Sequence, residues 1–330
     1  MTTKICIVGI GAIGGCIADS LCRISGVKVA AIARGATLDA IRQQGLAVTD
    51  GATILRRIEI EATDEPAKLG RQDIVVIATK GQALPALSPA LAPLLDQDTI
   101  ILPLLNGIPW WYFAHLDGPA ASFQPASVDP AGIVSRHLPP DQVVGGVVHL
   151  SVSSPSPATI LRGKGNQLII GDPSRRRPDA SAQVRELLSA GGFDVDASTE
   201  IHRDVWYKLW GNLCLNPVSA LTRATVDAVV EDPQVRELCT LMMGEAAAVS
   251  EKFGIRIDAS ADDRISVAGM LGRFKTSMLQ DAEAGRRLEF APLLGAVTEI
   301  ARHLDVPVPF TCAVLGLTRL LDQSVTNASP

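Results

Sequence analysis

Three side chains in the second half of the chain, Lys208, Asn212 and Asn216, fall at i, i+4 and i+8. On a helix this spacing sets them on one face, with ~40° of drift per step. Their neighbours Leu209, Leu213 and Leu215 are apolar. A polar stripe on an apolar helix costs free energy unless it is solvated, bonded internally or turned to a ligand. A lysine with an ordinary pKa of ~10.4 is charged at neutral pH. Such a lysine can hold an oxygen that gains negative charge and then hand it a proton. A solvent-exposed face is the plainer alternative. Pro217 follows directly and is expected to kink or end the helix at Asn216.

A second chemical feature opens the chain. Gly9-Ile10-Gly11-Ala12-Ile13-Gly14 is a G-x-G-x-x-G turn. It follows the β-branched run at 4–8 and leads into a helical stretch at 12–24, the context that gives the motif meaning. Gly9 permits the tight turn, Gly11 lets backbone approach a pyrophosphate, and Gly14 lets helix pack closely on strand. An NAD site usually places Asp or Glu about 20 residues further on, against the ribose 2′-hydroxyl. Here the zone reads Val29-Ala-Ala-Ile-Ala33-Arg34-Gly35, with no carboxylate. The Arg34 guanidinium suits a 2′-phosphate, so NADP(H) is expected over NAD(H). Lys80 and the Asn106-Gly107 pair stand at the C-terminal ends of two further strand runs, where ligands meet a doubly wound sheet. A simple turn also explains Asn-Gly.

A third segment runs from Thr276 through Ser277-Met-Leu-Gln-Asp281 to Glu289. Ser277-x-x-Gln280 matches a capping box, so Ser277 has a purely structural explanation. Glu289 shortly precedes Pro292, and a carboxylate ahead of a helix gains from its dipole.

These residues need a scaffold, and the apolar pattern supplies one. Runs at 4–8, 27–33, 73–78 and 99–102 are mostly apolar rather than alternating, as expected of parallel strands covered on both faces. From about 143 to 172 the texture changes to antiparallel strands and hairpins appended to that sheet, punctuated by SSPSP at 153–157 and GKG at 163–165. Ser174-Arg-Arg-Arg-Pro178 is a basic turn that suits a surface or a phosphate. After about 199 only helical patterns remain, with turns at Gly254, Gly285 and 306–309. The expected architecture is an α/β N-terminal Rossmann-type doubly wound sheet (residues 1–199) and an all-α C-terminal domain (residues 200–330).

Composition bounds the rest. The 330 residues are 47% hydrophobic and 20% charged, ordinary for folded domains and unlike disorder. The net charge of −5 argues against a nucleic-acid partner. Six cysteines with no Cys-x-x-Cys pair or zinc spacing point to reduced thiols and no metal. No run reaches the ~18 residues of a membrane span, and Lys4 to Ala18 is better read as the glycine turn than as a signal peptide. A cytoplasmic protein is expected. Aromatics make up only 4%, so the cluster Trp110-Trp111-Tyr112-Phe113 stands out.

Taken in order, these segments resemble the ketopantoate reductase (2-dehydropantoate 2-reductase) family. The resemblance covers most of the chain. It rests on the glycine turn with Arg34, the strand ending in Thr79-Lys80, Asn106-Gly107, Lys208/Asn212/Asn216-Pro217, and SMLQD at 277–281 leading to Glu289. It implies an NADP-dependent oxidoreductase that reduces a 2-oxo acid to a 2-hydroxy acid, most directly 2-dehydropantoate to pantoate, in pantothenate and coenzyme A biosynthesis. It implies Lys208 as catalytic lysine and proton donor, with Glu289 bonding substrate and tuning the site. Asn212 and Asn216 would orient substrate, Ser277 would hold its carboxylate, and Asn106 and Lys80 would contact cofactor and substrate. Gly9 to Gly14 and Arg34 would bind the cofactor. The implied partner is a small 2-oxo acid, and pairing of the helical halves into a homodimer is compatible with the sequence.

Three departures make the implied pocket more apolar: Leu105 before Asn106, the bulky run from Pro109 to Phe113, and Leu288-Glu289-Phe290. They leave a bulkier or more apolar 2-oxo acid open as substrate, with Trp110 and Trp111 either lining the site or packing. A non-catalytic NADP(H)-binding sensor is a further alternative, though it would need the glycine turn and not Lys208, Ser277 and Glu289.

Overall fold

A computed structural model describes residues 2–163, 165–270 and 272–327. The chain forms two compact units, Met1–Leu105 with Gly132–Asp204, and Asn106–Ala131 with Val205–Pro330.

The first unit carries the strands. They are β1 (Thr3–Val8), β2 (Val27–Ile32), β3 (Leu46–Thr49), β4 (Ile54–Ile58), β5 (Glu61–Thr63), β6 (Ile74–Ile77), β7 (Ile100–Pro103), β8 (Gly145–His149), β9 (Val152–Ser156), β10 (Thr159–Arg162), β11 (Gln167–Gly171) and β12 (Asp194–Ser198). Its helices are α1 (Ala12–Leu21), α2 (Gly35–Gln44), α3 (Leu84–Leu87), α4 (Ile133–His137) and α5 (Pro178–Ala190). The main sheet is parallel in the order β5-β2-β1-β6-β7. The chain leaves β1 to one side for β2 and returns to its other side for β6. That reversal places the ligand-binding end of the sheet at the C-termini of β1 and β6. Ile5, Cys6, Ile7 and Val8 are wholly buried, as covered parallel strands require.

The later strands divide differently from the expected appended hairpins. β8 pairs antiparallel with β11, and β11 pairs parallel with β12. Just ahead of β8, a parallel bridge from Ile101 to Val143 ties this sheet to the main one. β9 and β10 pair antiparallel, but they belong to a separate sheet, β4-β3-β10-β9. Of the GKG punctuation, Lys164 lies outside the described residues. The basic turn at 174–178 is a surface turn: Arg175 pairs with Glu200 at 3.0 Å, and Arg177 donates to the Asp98 carbonyl at 3.2 Å.

A buried ion cluster fastens the second sheet to α1. Asp19 on α1 is fully buried, and Arg56 of β4 grips it through Nε at 2.8 Å and through Nη2. Arg162 of β10 approaches the same carboxylate at 3.9 Å and donates to Ser20 Oγ at 2.6 Å. Breaking a buried pair strands a charge, at ~3–5 kcal/mol. Arg56→Met is expected to cost an amount near the lower end of that range, because Arg162 remains. The loss should appear in urea unfolding as a lower midpoint at an unchanged slope.

The second unit is helical: α6 (Ile201–Thr222, its body from Val205), α7 (Val226–Glu231), α8 (Pro233–Lys252), α9 (Ala261–Gly269), α10 (Ser277–Glu283), α11 (Ala296–His303) and α12 (Pro309–Asn327). A π-helical turn, Ala291–Gly295, leads into α11. The boundary expected at 199/200 falls at 204/205, and residues 106–131 leave the α/β sequence to join the helical unit. The reason is the aromatic cluster. Tyr112 and Phe113 pack edge-to-face at 4.9 Å, Tyr112 lies 6.0 Å from Trp206, and Phe253 lies 5.0 Å from Trp206 and 5.7 Å from Phe113. Trp110 and Trp111 are buried as well. Aromatic side chains carry the largest burial gain per residue, so this short run anchors a 26-residue excursion on α6.

Among the described residues, no helix is long and apolar enough to cross a membrane, and no cluster of three His, Cys, Asp or Glu side chains is placed to hold a metal.

Candidate active site

In the helical unit, Lys208 is half-buried on α6 and its Nζ donates to Asn106 Oδ1 at 3.1 Å. The two residues lie 102 positions apart in sequence. Burial pushes the Lys208 ammonium down to about 8, and the charge of Glu289 partly offsets the drop. The helix therefore carries an ammonium lowered to about 8, bonded to an amide oxygen and under the charge of a carboxylate.

Asn106 owes its place to the next residue. Gly107 takes a φ of +78°, and a Cβ there would meet Pro292 O at 2.5 Å. Ile108 N donates to that same carbonyl at 2.8 Å. The π-helical turn thus receives the Asn106 loop edge-on, three residues past Glu289.

Asn212 is half-buried and Asn216 is buried on the same helix. Neither amide has a hydrogen-bond partner among the described residues. Unpartnered amides on a mostly apolar helix are free to bond water or a ligand. Pro217 does not end the helix. α6 continues to Thr222 with the proline inside. Its missing N–H leaves the Leu213 carbonyl without a helical donor, a loss that packing of the surrounding buried residues 213–220 outweighs.

The capping expected of Ser277 belongs to its neighbour. Thr276 is the N-cap of α10, its Oγ1 accepting from Leu279 N at 3.1 Å. Ser277 is exposed in the first turn, and its hydroxyl has no partner among the described residues. Its structural explanation falls away.

The glycine turn lies in the α/β unit and is described by itself. Gly9 has a φ of +95°, and a Cβ there would meet Thr79 Cγ2 at 2.7 Å. A Cβ on Gly14 would meet Gly9 O at 1.9 Å, whereas one on Gly11 would meet nothing within 4 Å. The turn is thus sealed on its inner side and open at Gly11, which caps α1 without any side-chain bond. The first N–H groups of a helix have no internal acceptor, and here no side chain covers them. Thr79 Oγ1 is buried beside this turn with no partner. The sequence offers Thr79 only as the end of a strand run; it stands two residues past β6 and one before Lys80. Lys80 is half-buried at the start of the turn after β6. Arg34 is exposed past the end of β2 and has no ion pair among the described residues. Ile10, Ala12 and Ile13 fill the turn between the glycines, Ile10 buried and the others half-buried. An open glycine turn, an uncapped helix start, an orphaned hydroxyl and an uncommitted guanidinium fit a dinucleotide with a 2′-phosphate.

The fold and site define a two-unit oxidoreductase built on a dinucleotide-binding sheet. The model of the family "Ketopantoate reductase PanE/ApbA" matches residues 5–175, and that of its C-terminal domain matches residues 200–322. The 2-dehydropantoate 2-reductase of Mesorhizobium japonicum is 39% identical over 96% of this chain and 97% of its own. A crystal structure from Ralstonia solanacearum MolK2 superposes with a TM-score of 0.92 at 39% identity, covering 98% of this chain and 99% of that one. D-mandelate dehydrogenase shares the fold, with a TM-score of 0.85 at 19% identity over 98% of this chain and 99% of its own. The chain belongs to the ketopantoate reductase family, a family of NADPH-using oxidoreductases.

Proposed function

We propose that this protein reduces 2-dehydropantoate to pantoate with NADPH, with Lys208 as proton donor. The observation that carries this reading is the Lys208 ammonium, held by Asn106 at 3.1 Å and faced by the charge of Glu289. NADPH, when bound, supplies the hydride. The chain's residues do the rest. Gly9 to Gly14 and the start of α1 take the pyrophosphate, and Arg34 takes the 2′-phosphate. Lys208 holds the ketone oxygen, meets the negative charge that develops there, and protonates it. Glu289 steadies the ammonium and bonds the substrate. Ser277 takes the substrate carboxylate, and Asn212 and Asn216 orient the carbonyl carbon.

The aromatic run supports the small substrate. Trp110, Trp111, Tyr112 and Phe113 are each at most 3% exposed, so their bulk belongs to packing. The test is loss of 340 nm absorbance with purified protein, NADPH and 2-dehydropantoate, run beside NADH and a panel of aliphatic and aromatic 2-oxo acids. Turnover with 2-dehydropantoate that strongly prefers NADPH is expected. Turnover confined to aromatic 2-oxo acids would overturn the substrate, and equal use of NADH would overturn the role of Arg34. Cofactor binding without turnover of any 2-oxo acid would favour the sensor.

A further inference from the structure

We infer that Asp322, on the last helix, is a positioning residue that sets the Glu289 carboxylate against Lys208. Asp322 is 9% exposed and lies on the buried stripe of α12, with Thr311, Val314, Thr318 and Val325. A carboxylate on such a stripe is costly unless it holds something. Its Oδ1 accepts a hydrogen bond from the backbone N–H of Leu288 at 2.7 Å. This is no cap or turn of its own helix; the two residues lie 34 positions apart. A charged acceptor on an amide N–H is among the stronger hydrogen bonds available to a protein.

The bonded peptide is the one before Glu289. The Leu288 side chain is itself buried, so its residue is gripped from both sides. Upstream, Arg286 donates from Nε to Asp281 Oδ1 at 2.8 Å, and its backbone N–H donates to the Asp281 carbonyl at 2.9 Å. Downstream, the π-helical turn begins at Ala291 and packs on α12. The segment 286–291 crosses from α10 to the π-helical turn mostly outside regular secondary structure. Asp322 supplies a fixed point at the residue before Glu289. The charge of Glu289 raises the Lys208 ammonium against its desolvation. Moving Leu288 moves that charge.

This inference rests on the catalytic reading of Lys208 and Glu289 above. The test is a double-mutant cycle on the full chain, assayed by NADPH oxidation, with nucleotide affinity measured by fluorescence titration. Asp322→Ala is expected to lower kcat about ten-fold with unchanged affinity for NADPH. Asp322→Asn should recover most of that loss, because its carboxamide oxygen can still accept from Leu288 N. In a Glu289→Gln background, Asp322→Ala should change kcat less than two-fold, since coupled residues are non-additive. A full ten-fold loss in that background, or Asp322→Asn as impaired as Asp322→Ala, would overturn the inference and leave Asp322 a structural residue. Parental activity in Glu289→Gln would instead overturn the role given to Glu289. Should Asp322→Ala fail to fold, Asp322→Glu replaces it in the cycle: it keeps the charge but displaces the acceptor, with the same expected pattern.

Discussion

Lys208→Ala is expected to lower kcat for 2-oxo acid reduction by about 10²–10⁴-fold, the usual contribution of a placed proton donor. Two effects are lost together: the cation that meets charge on the ketone oxygen, and the proton that follows. Binding of NADPH should persist, since the glycine turn and Arg34 belong to the other unit. Lys208→Arg should not rescue. A guanidinium keeps the charge but does not release a proton in a protein. The pH profile of the parent gives an independent check. Burial holds the ammonium down to about 8, so the donor form is present below that pH and lost above it. In the reductive direction, kcat/KM should be level on the acid side and fall ten-fold per pH unit beyond about 8. Glu289→Gln removes the charge that raises the ammonium, so the break should move to lower pH. Near-parental turnover in Lys208→Ala would end the mechanism.

Much of the scaffold was legible because covered parallel strands leave a plain mark. Ile5 to Val8 and Ile74 to Ile77 are uninterrupted apolar runs, and such runs have few alternatives. β4 left no such mark. Its sequence Ile-Leu-Arg-Arg-Ile puts Ile54 and Leu55 on the surface and sends Arg56 inward to Asp19. The hydrophobic alternation is reversed there, and only the distant carboxylate explains it. The excursion at 106–131 was hidden for a related reason. It contains no long helix or strand, and its allegiance is decided by the Trp206 ring on α6 and the Phe253 ring just past α8.

The site shows the same division. The stripe of Lys208, Asn212 and Asn216 follows from helical spacing alone. That Lys208 meets Asn106 does not, because nothing local spans 102 residues. The cap at α10 was misplaced by one residue, since Thr276 and Ser277 both suit an N-cap and the choice depends on which of them is buried. Asp322 carried a signal that periodicity could have raised: an acid in register with Val314 and Thr318 on the buried face of an amphipathic helix.

Gly107→Ala should show how closely that distant meeting is held. An alanine at φ +78° costs roughly 1–2 kcal/mol from backbone strain alone. Its Cβ would also stand 2.5 Å from Pro292 O and 2.6 Å from Pro292 C, backbone atoms that cannot swing aside. The loop must therefore back away, and the 2.8 Å bond from Ile108 N to Pro292 O goes with it. Asn106 is the adjacent residue, so its 3.1 Å contact with Lys208 opens as well. A displacement of about 1 Å at a reacting group can cost on the order of 10²-fold. Gly107→Ala is expected to lose that much in kcat. The effect runs through Asn106, so an Asn106→Ala, Gly107→Ala double variant should be little worse than the more damaged single one. Additive losses would mean that Gly107 acts on the π-helical turn and Glu289 instead, and parental activity would mean that the loop yields without disturbing Lys208 at all.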